Sequence, residues 1–585
     1  MHWQCIYSLA LMCIPIGIYI GITRIKQNTV KTVPDAKYEL PPSSSKLHRF
    51  KDAGICSDSE DCSAVAKKIL LADGNVVDAA LAALLCNGLI GMQSMGLGGG
   101  FLMNIYMHKE RKSYSILSRE FAPLMLLESN FTNFRTEQQL RQSSWSIAVP
   151  TELVGYALAH ERFGELPWAQ LVQPTLDLCR QGYKLYKHQY DALLLNAIMI
   201  KNDDLLRKMF TDENTGKFKR LGSHIQPPKQ LCATYEVLAR EGPRSFYNGT
   251  LSIKLLDDLA DMGSNINTMD LKLAQAELVE SIVLPLDEYE LHLTPPPGSG
   301  HIVGLIMNIL HEFKADFAAE SKLNATQLHR IVEALKFGFV QRWRLDDRAD
   351  ETLLKRLLSE GFARNLAQQI DDGQTFNESI HYGAPDDLEV RQEQGTAHMS
   401  LLHKQNAVSV TSSINFYFGS GRMGKRTGVL FNNAMSDFSM QHLRNYFELP
   451  YVEGKNTIAT AARPMSSMSP IIVTDRRSGQ VRLVVGAAGG TKIISALVPL
   501  LVRLLWQQAH IKHAIDASRI HHQMLPNVVQ YEYGLLEKQL KQLREKGHRC
   551  ERYRQRNSVI CGVAWRNETV FVNSDYRKIG GVAGF

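Results

Sequence analysis

In the run Glu393-Gln394-Gly395-Thr396-Ala397-His398-Met399-Ser400-Leu401-Leu402, polar residues (Thr396, His398, Ser400) alternate with apolar ones (Ala397, Met399, Leu401) directly after a glycine. A period of two predicts a strand with one buried face. The run ends near Asn406, and Ala407 to Phe418 reads as a second strand beyond a turn. A hydroxyl at the head of a strand can be aimed rigidly into a cleft. Glycine before it removes the Cβ that would crowd a bent backbone.

A threonine at a strand start is ordinarily structural. Its chemistry changes if the Gly395–Thr396 bond is cut, because Thr396 then carries a free α-amine. Such an amine titrates near ~8 and can act as base for its own hydroxyl. The longer pattern Gly395-Thr396-Ala397-His398-x-Ser400, followed by Val408-Ser409-Val410-Thr411-Ser412-Ser413-Ile414-Asn415, closely resembles the processing site of the γ-glutamyltransferases. These glutathione hydrolases are self-cleaving N-terminal-nucleophile hydrolases. The resemblance implies an α+β fold, a four-layer αββα sandwich. It also divides the chain: 53–395 as large subunit and 396–585 as small subunit carrying the nucleophile.

The chain has 585 residues, 44% hydrophobic and 21% charged, with ample material for a core. Its net charge of +7, from 66 basic and 59 acidic residues, is a small excess for this length and excludes nucleic acid as the main partner. Trp3 to Thr23 contains no Asp, Glu, Lys or Arg, long enough for a membrane-spanning helix, and no clear small-x-small cleavage site follows it. Residues 1–23 are therefore expected to form an uncleaved signal-anchor, and 24–52, with Pro34, Pro41, Pro42 and Ser43–Ser45, a stalk. Arg24, Lys26 and Lys31 after the span would by themselves put the body in the cytosol. The family resemblance puts it outside the plasma membrane on a single-pass anchor. Sequons at Asn130, Asn248, Asn324, Asn377 and Asn567 favour the secretory route.

Nine cysteines are dispersed without CxxC pairs or Cys/His clusters, so no metal site is expected. Cys62 and Cys86 match a pair that the family bridges. From Ala64 to Leu85 apolar residues recur at helical spacing with a break at Gly74-Asn75, predicting two helices. The glycine-rich loop Ser94 to Phe101 leads into a strand, whereas a dinucleotide fingerprint follows a strand and opens a helix, so it reads as a site of close backbone approach. Leu153 to Arg342 reads as largely helical, and Gly428 to Phe438 as a strand with an acidic loop. Arg482 to Val485 reads as a strand that runs into Gly486-Ala487-Ala488-Gly489-Gly490-Thr491 and a long apolar helix to about Trp506. That order gathers backbone N–H groups at one point and suits an anion, either a phosphate or a reaction oxyanion.

The resemblance assigns roles within this pattern. Thr396 is the nucleophile, Ser413 stands where the family usually has a supporting threonine, and Gly489 and Gly490 hold the oxyanion. Arg119, Ser466 and Ser467 bind the α-carboxylate of a γ-glutamyl donor, and Asn415 and Asp437 its α-ammonium. A guanidinium suits the first role because its planar fork meets a carboxylate bidentately. The implied reaction cleaves the γ-glutamyl amide of glutathione and its conjugates, passing the glutamyl group to water, amino acids or dipeptides without a cofactor. Besides Ser413, two positions depart from the family in ways that bear on activity: Thr151 where glycine is usual, and Ala434 where a glutamate helps to hold the α-ammonium. Losing one of two carboxylates is expected to raise KM or alter substrate preference, with the chemistry retained. The alternative is a surface glycoprotein that cleaves itself but turns over little substrate and acts through partners.

Overall fold

The computed structural model describes residues 33–383, 395–443, 451–553 and 558–585. Two seven-stranded antiparallel sheets lie face to face, each covered on its outer side by helices. The first sheet runs Gly581–Gly584, Ala53–Ser57, Ala397–His403, Asn406–Ser413, Gly100–Met107, Lys112–Ser118, Glu277–Glu280. The second runs His48–Phe50, Thr569–Ser574, Val559–Arg566, Val481–Ala488, Ile471–Asp475, Tyr289–Leu293, Ile282–Leu286. This is the expected αββα sandwich. Both sheets contain strands from before and from after position 395, so neither part forms a separate body.

The predicted hairpin is central to the first sheet. Lys404 and Gln405 turn it with φ of 47° and 66°, the paired positive values of a tight two-residue hairpin. Its alternation, however, does not separate core from water, because both faces of Ala397–His403 are buried. Ala397, Met399 and Leu401 pack into the helix-side core. His398 and Ser400 face the second sheet instead. His398 Nδ1 lies 2.8 Å from Thr411 Oγ1, its Nε2 lies 3.0 Å from Ser400 Oγ, and Ser400 Oγ donates to the Cys561 carbonyl at 3.1 Å. Polar side chains recur there because they satisfy one another between the sheets, as buried groups must. Burial pushes the His398 pKa down to about 3, so the ring is neutral.

The helices expected around Gly74-Asn75 are Glu60–Leu71 and Val76–Ile90. Asn75 caps the second, accepting from the Val77 and Asp78 N–H groups at 2.8 and 3.0 Å. Every residue of that helix is buried, between the first sheet and neighbouring helices. The loop before Gly100–Met107 brings backbones together as expected: Gly98 bridges to Phe431, and a Cβ there would fall 2.2 Å from the Leu430 carbonyl oxygen.

Two expectations are corrected. The stretch read as largely helical contains the strands Glu277–Glu280, Ile282–Leu286 and Tyr289–Leu293, the last two joined by a turn with Asp287 at φ 57°. These strands are only four or five residues long, too short to stand out beside long amphipathic helices. Gly428 to Phe431 forms only isolated bridges, at Leu430 and Phe431. In addition, the described part of the segment read as a stalk is docked on the body. Asp35 is ion-paired with Arg552 at 2.6 Å, and His48–Phe50 adds an edge strand to the second sheet. No helix among the described residues is long and apolar enough to cross a membrane, and residues 1–23 lie outside the described residues.

Cys62 and Cys86 are bonded, joining the two helices above. Two further disulfides, Cys179–Cys232 and Cys56–Cys561, were not expected from the sequence. Cys56 belongs to the first sheet and Cys561 to the second, with a Cα–Cα distance of 5.7 Å.

Candidate active site

Thr396 stands one residue ahead of the strand Ala397–His403 and is 6% exposed. Its hydroxyl donates to the carbonyl of Gly395. Ser413, at the end of the paired strand, contacts the same carbonyl through Oγ at 3.4 Å while accepting the Asn415 N–H at 2.8 Å. The Thr396 oxygen thus rests on the carbonyl of the peptide bond that precedes it, and a second hydroxyl is placed where it would receive negative charge if that carbonyl were attacked. The glycine has a steric cause: a Cβ at 395 would lie 2.6 Å from backbone atoms of Phe416 and Tyr417. Lys578, ion-paired with Asp58, reaches the Thr396 carbonyl at 3.4 Å and fixes the main chain there. These two residues come from opposite ends of the chain, and nothing in their local sequence signals the pairing.

One cleft beside Thr396 is lined by Arg119, Ser413, Asn415, Asp437, Ser466, Ser467 and Gly490. Gly489 lines a smaller cavity on the other side of Thr396, with His188, Tyr417 and Lys578. All the residues expected at the site are therefore brought together around one hydroxyl. Gly489 has φ 135° and Gly490 φ 59°, backbone that side-chain-bearing residues avoid, and they join the strand Val481–Ala488 to the helix Lys492–Leu501. Of the two anions their pattern admits, the position beside Thr396 favours the reaction oxyanion.

Arg119 is almost wholly buried. Its guanidinium donates to Glu120 at 2.8 Å, to the Pro464 carbonyl at 3.2 Å and to Asp437. Burial raises the pKa of both carboxyls, against the pull of Arg119. Asp437 Oδ1 has no hydrogen-bond partner among the described residues and is an open acceptor. Asn415, at φ 75°, directs Nδ2 to the Asn433 carbonyl at 3.1 Å. The substituted Thr151 is accommodated: its hydroxyl donates to the Ser118 carbonyl at 2.7 Å, and Ser118 Oγ donates back to the Thr151 carbonyl at 2.7 Å. Ala434 is fully buried in the turn Ala434–Asp437 and offers no charge.

Sequence reasoning missed Arg342, which also lines the cleft. It sits in the last turn of the helix Ala325–Trp343, and Nε donates to Ser299 Oγ at 3.2 Å, which donates to the Ser466 carbonyl at 2.6 Å. Burial lowers its pKa to about 10, so it stays charged at neutral pH. It gives the cleft a second cation and holds the serine loop in place. A separate cluster of metal-ligand types, His329, Glu333 and His548, lies outside the cleft. There His329 Nδ1 and His548 Nε2 meet at 2.7 Å, and Glu333 is paired with Lys336 at 3.1 Å. The resident ammonium already supplies the counter-charge to the carboxylate.

Comparison with known proteins agrees with this geometry. A family model described as gamma-glutamyltranspeptidase matches residues 62–585. Scoloptoxin SSD14 of Scolopendra dehaani is 35% identical over 554 residues, covering 93% of this chain and 94% of that protein. Glutathione hydrolase 5 proenzyme of Mus musculus is 35% identical over 550 residues, covering 92% and 93%. In fold, the chain is similar to a cephalosporin acylase from Bacillus halodurans, with TM-score 0.79, 19% identity and coverage of 95% and 99%. Site, sequence and fold agree, and the chain belongs to the gamma-glutamyltranspeptidase family of N-terminal-nucleophile hydrolases.

Proposed function

We propose that the chain cuts itself between Gly395 and Thr396 and then hydrolyses or transfers γ-glutamyl groups from glutathione and its conjugates. The observation that carries this reading is the Thr396 hydroxyl seated on the Gly395 carbonyl at the mouth of a cleft holding Arg119 and Asp437. Attack of Oγ on the Gly395 carbonyl carbon shifts the acyl group from nitrogen to oxygen. Water then hydrolyses the ester, giving a Gly395 carboxylate and a free Thr396 α-amine. In turnover this amine takes the hydroxyl proton as Oγ attacks the γ-carbonyl, then passes it to the leaving amine. Gly489 and Gly490 amides receive the oxyanion; losing one such donor typically costs ~3 kcal/mol of barrier. Water or an amino acid then attacks the ester carbonyl, takes the glutamyl group and expels Thr396 Oγ, which recovers its proton.

At the glutamyl end, Arg119, Ser466 and Ser467 take the α-carboxylate, and Asn415 and Asp437 the α-ammonium. Arg119 is ion-paired with Asp437, and a zwitterion would exchange that pair for two, its carboxylate on Arg119 and its ammonium on Asp437. A single-pass anchor at 1–23 would hold the body outside the cell. Exposure of all five sequon asparagines supports the secretory route.

Purified protein is expected to release aniline chromophore from a γ-glutamyl anilide. Two chains without release would favour the weakly active alternative, to which the missing carboxylate at 434 lends support. Ser413→Ala is expected to slow self-cleavage by about two to three orders of magnitude, the effect of one oxyanion-type donor, while Ser413→Thr cleaves at least as fast. Timed gels of freshly translated protein measure both.

A further inference from the structure

A cavity of about 280 Å³ on the second sheet shares no lining residue with the cleft beside Thr396. Three aromatic side chains, Tyr289, Trp565 and Phe571, line it together with Glu288, Arg482 and Asn567. Asn567 and Glu568, with φ of 49° and 57°, turn the hairpin that joins Val559–Arg566 to Thr569–Ser574. Trp565 stands two residues before that turn and is half-buried, and Phe571 pairs with Ala564 on the same hairpin. From the adjoining strand Val481–Ala488, the Arg482 guanidinium lies over the Trp565 ring, 5.1 Å from its centre, and donates to Asp475 at 3.1 Å. The ring is thus fixed by a cation that is itself tethered, while its indole N–H has no hydrogen-bond partner among the described residues.

This is the chemistry of a seat for a sugar. A pyranose ring has apolar C–H faces that pack on aromatic rings, and a rim of hydroxyls that pair with carboxylate and indole groups. The volume is close to the ~300 Å³ at which small-ligand sites begin. Asn567 supplies the sugar's point of entry: it opens the sequon Asn567-Glu568-Thr569, is exposed, and lines the cavity.

We infer that Asn567 carries an N-linked oligosaccharide whose first sugars lie in this cavity against Trp565 and Phe571. The inference rests on the secretory route of the proposed function. The donor is an oligosaccharide held on a lipid pyrophosphate. Asn567 Nδ2 bonds to its anomeric carbon as the bond from that carbon to the pyrophosphate oxygen breaks, and Nδ2 gives up one proton. Attachment at the rim makes so small a contact effective, because a tethered sugar meets the rings at an effective concentration on the order of mM.

The test uses the full chain purified from eukaryotic cells and digested undenatured with peptide:N-glycanase, which turns each glycosylated asparagine into aspartate as the sugar leaves. Peptide mass spectrometry then times release at each occupied sequon. The Asn567 glycan is expected to leave the native wild type at least about tenfold more slowly than native Trp565→Ala, the effect of one aromatic contact, and equally fast from both once denatured. Elution volume and circular dichroism report whether the variant is folded. If it is not, wild-type release before and after denaturation decides alone, and no slowing in the native protein overturns the inference. Equal rates in the two native proteins, or a bare Asn567 beside other glycosylated sequons, also overturn it while the secretory route stands. Protein without sugar at any of the five sequons overturns both.

Discussion

Thr396→Ala is expected to yield a single uncut chain that releases no product from a γ-glutamyl anilide. Alanine removes the hydroxyl that rests on the Gly395 carbonyl, while the methyl side chain fits where the threonine was 6% exposed. The fold should therefore persist. Processing and turnover fail together because one oxygen serves both, so the fall in kcat should be at least on the order of 10⁴-fold, typical of removing a covalent nucleophile. Thr396→Ser separates the two interpretations of such a loss. It keeps the hydroxyl but frees its rotamer, since serine lacks the β-methyl that stiffens threonine. Slow but complete cleavage in that variant, with partial turnover, would show that the oxygen matters and not merely the residue's bulk.

The second large effect concerns how the two products of cleavage stay together. Of the three disulfides among the described residues, Cys62–Cys86 and Cys179–Cys232 lie wholly before position 395, but Cys56–Cys561 spans it. Cys56 is buried in the strand Ala53–Ser57, and Cys561 is 4% exposed in Val559–Arg566. Processed protein is expected to migrate as one species on a non-reducing gel and as two after reduction. In Cys56→Ser two bands should appear without reduction. The pair should still elute as one particle, because Ala53–Ser57 hydrogen-bonds between Gly581–Gly584 and Ala397–His403, strands from beyond the cut. Loss of a native disulfide typically costs ~2–5 kcal/mol, so the unfolding midpoint of this variant should fall. Two bands from the unreduced wild type would contradict the bond.

Much of this site is legible in the sequence because its chemistry sits at turns and strand ends, where glycine and hydroxyl residues leave a pattern. Gly395-Thr396 and Gly489-Gly490 are read directly, and each glycine has a structural cause in close backbone approach or positive φ. What escapes is whatever depends on distant pairing. Lys578 and Asp58 meet beneath Thr396 from 520 residues apart, and Arg342 resembles any basic residue near a helix end until Ser299 and Ser466 are placed beside it. The alternation in Ala397–His403 predicts the strand correctly and its environment incorrectly, because a period of two marks two different faces without saying whether the polar one meets water or a second sheet. Likewise Cys56 and Cys561 carry no spacing signal, and only the packing of the two sheets brings them together.

The most direct measurement is the N-terminal residue of the shorter polypeptide, by mass spectrometry of reduced, purified protein. A fragment beginning at Thr396, absent from Thr396→Ala, is the predicted result. A wild-type chain that retains the Gly395–Thr396 bond, or is cut only elsewhere, would contradict the account.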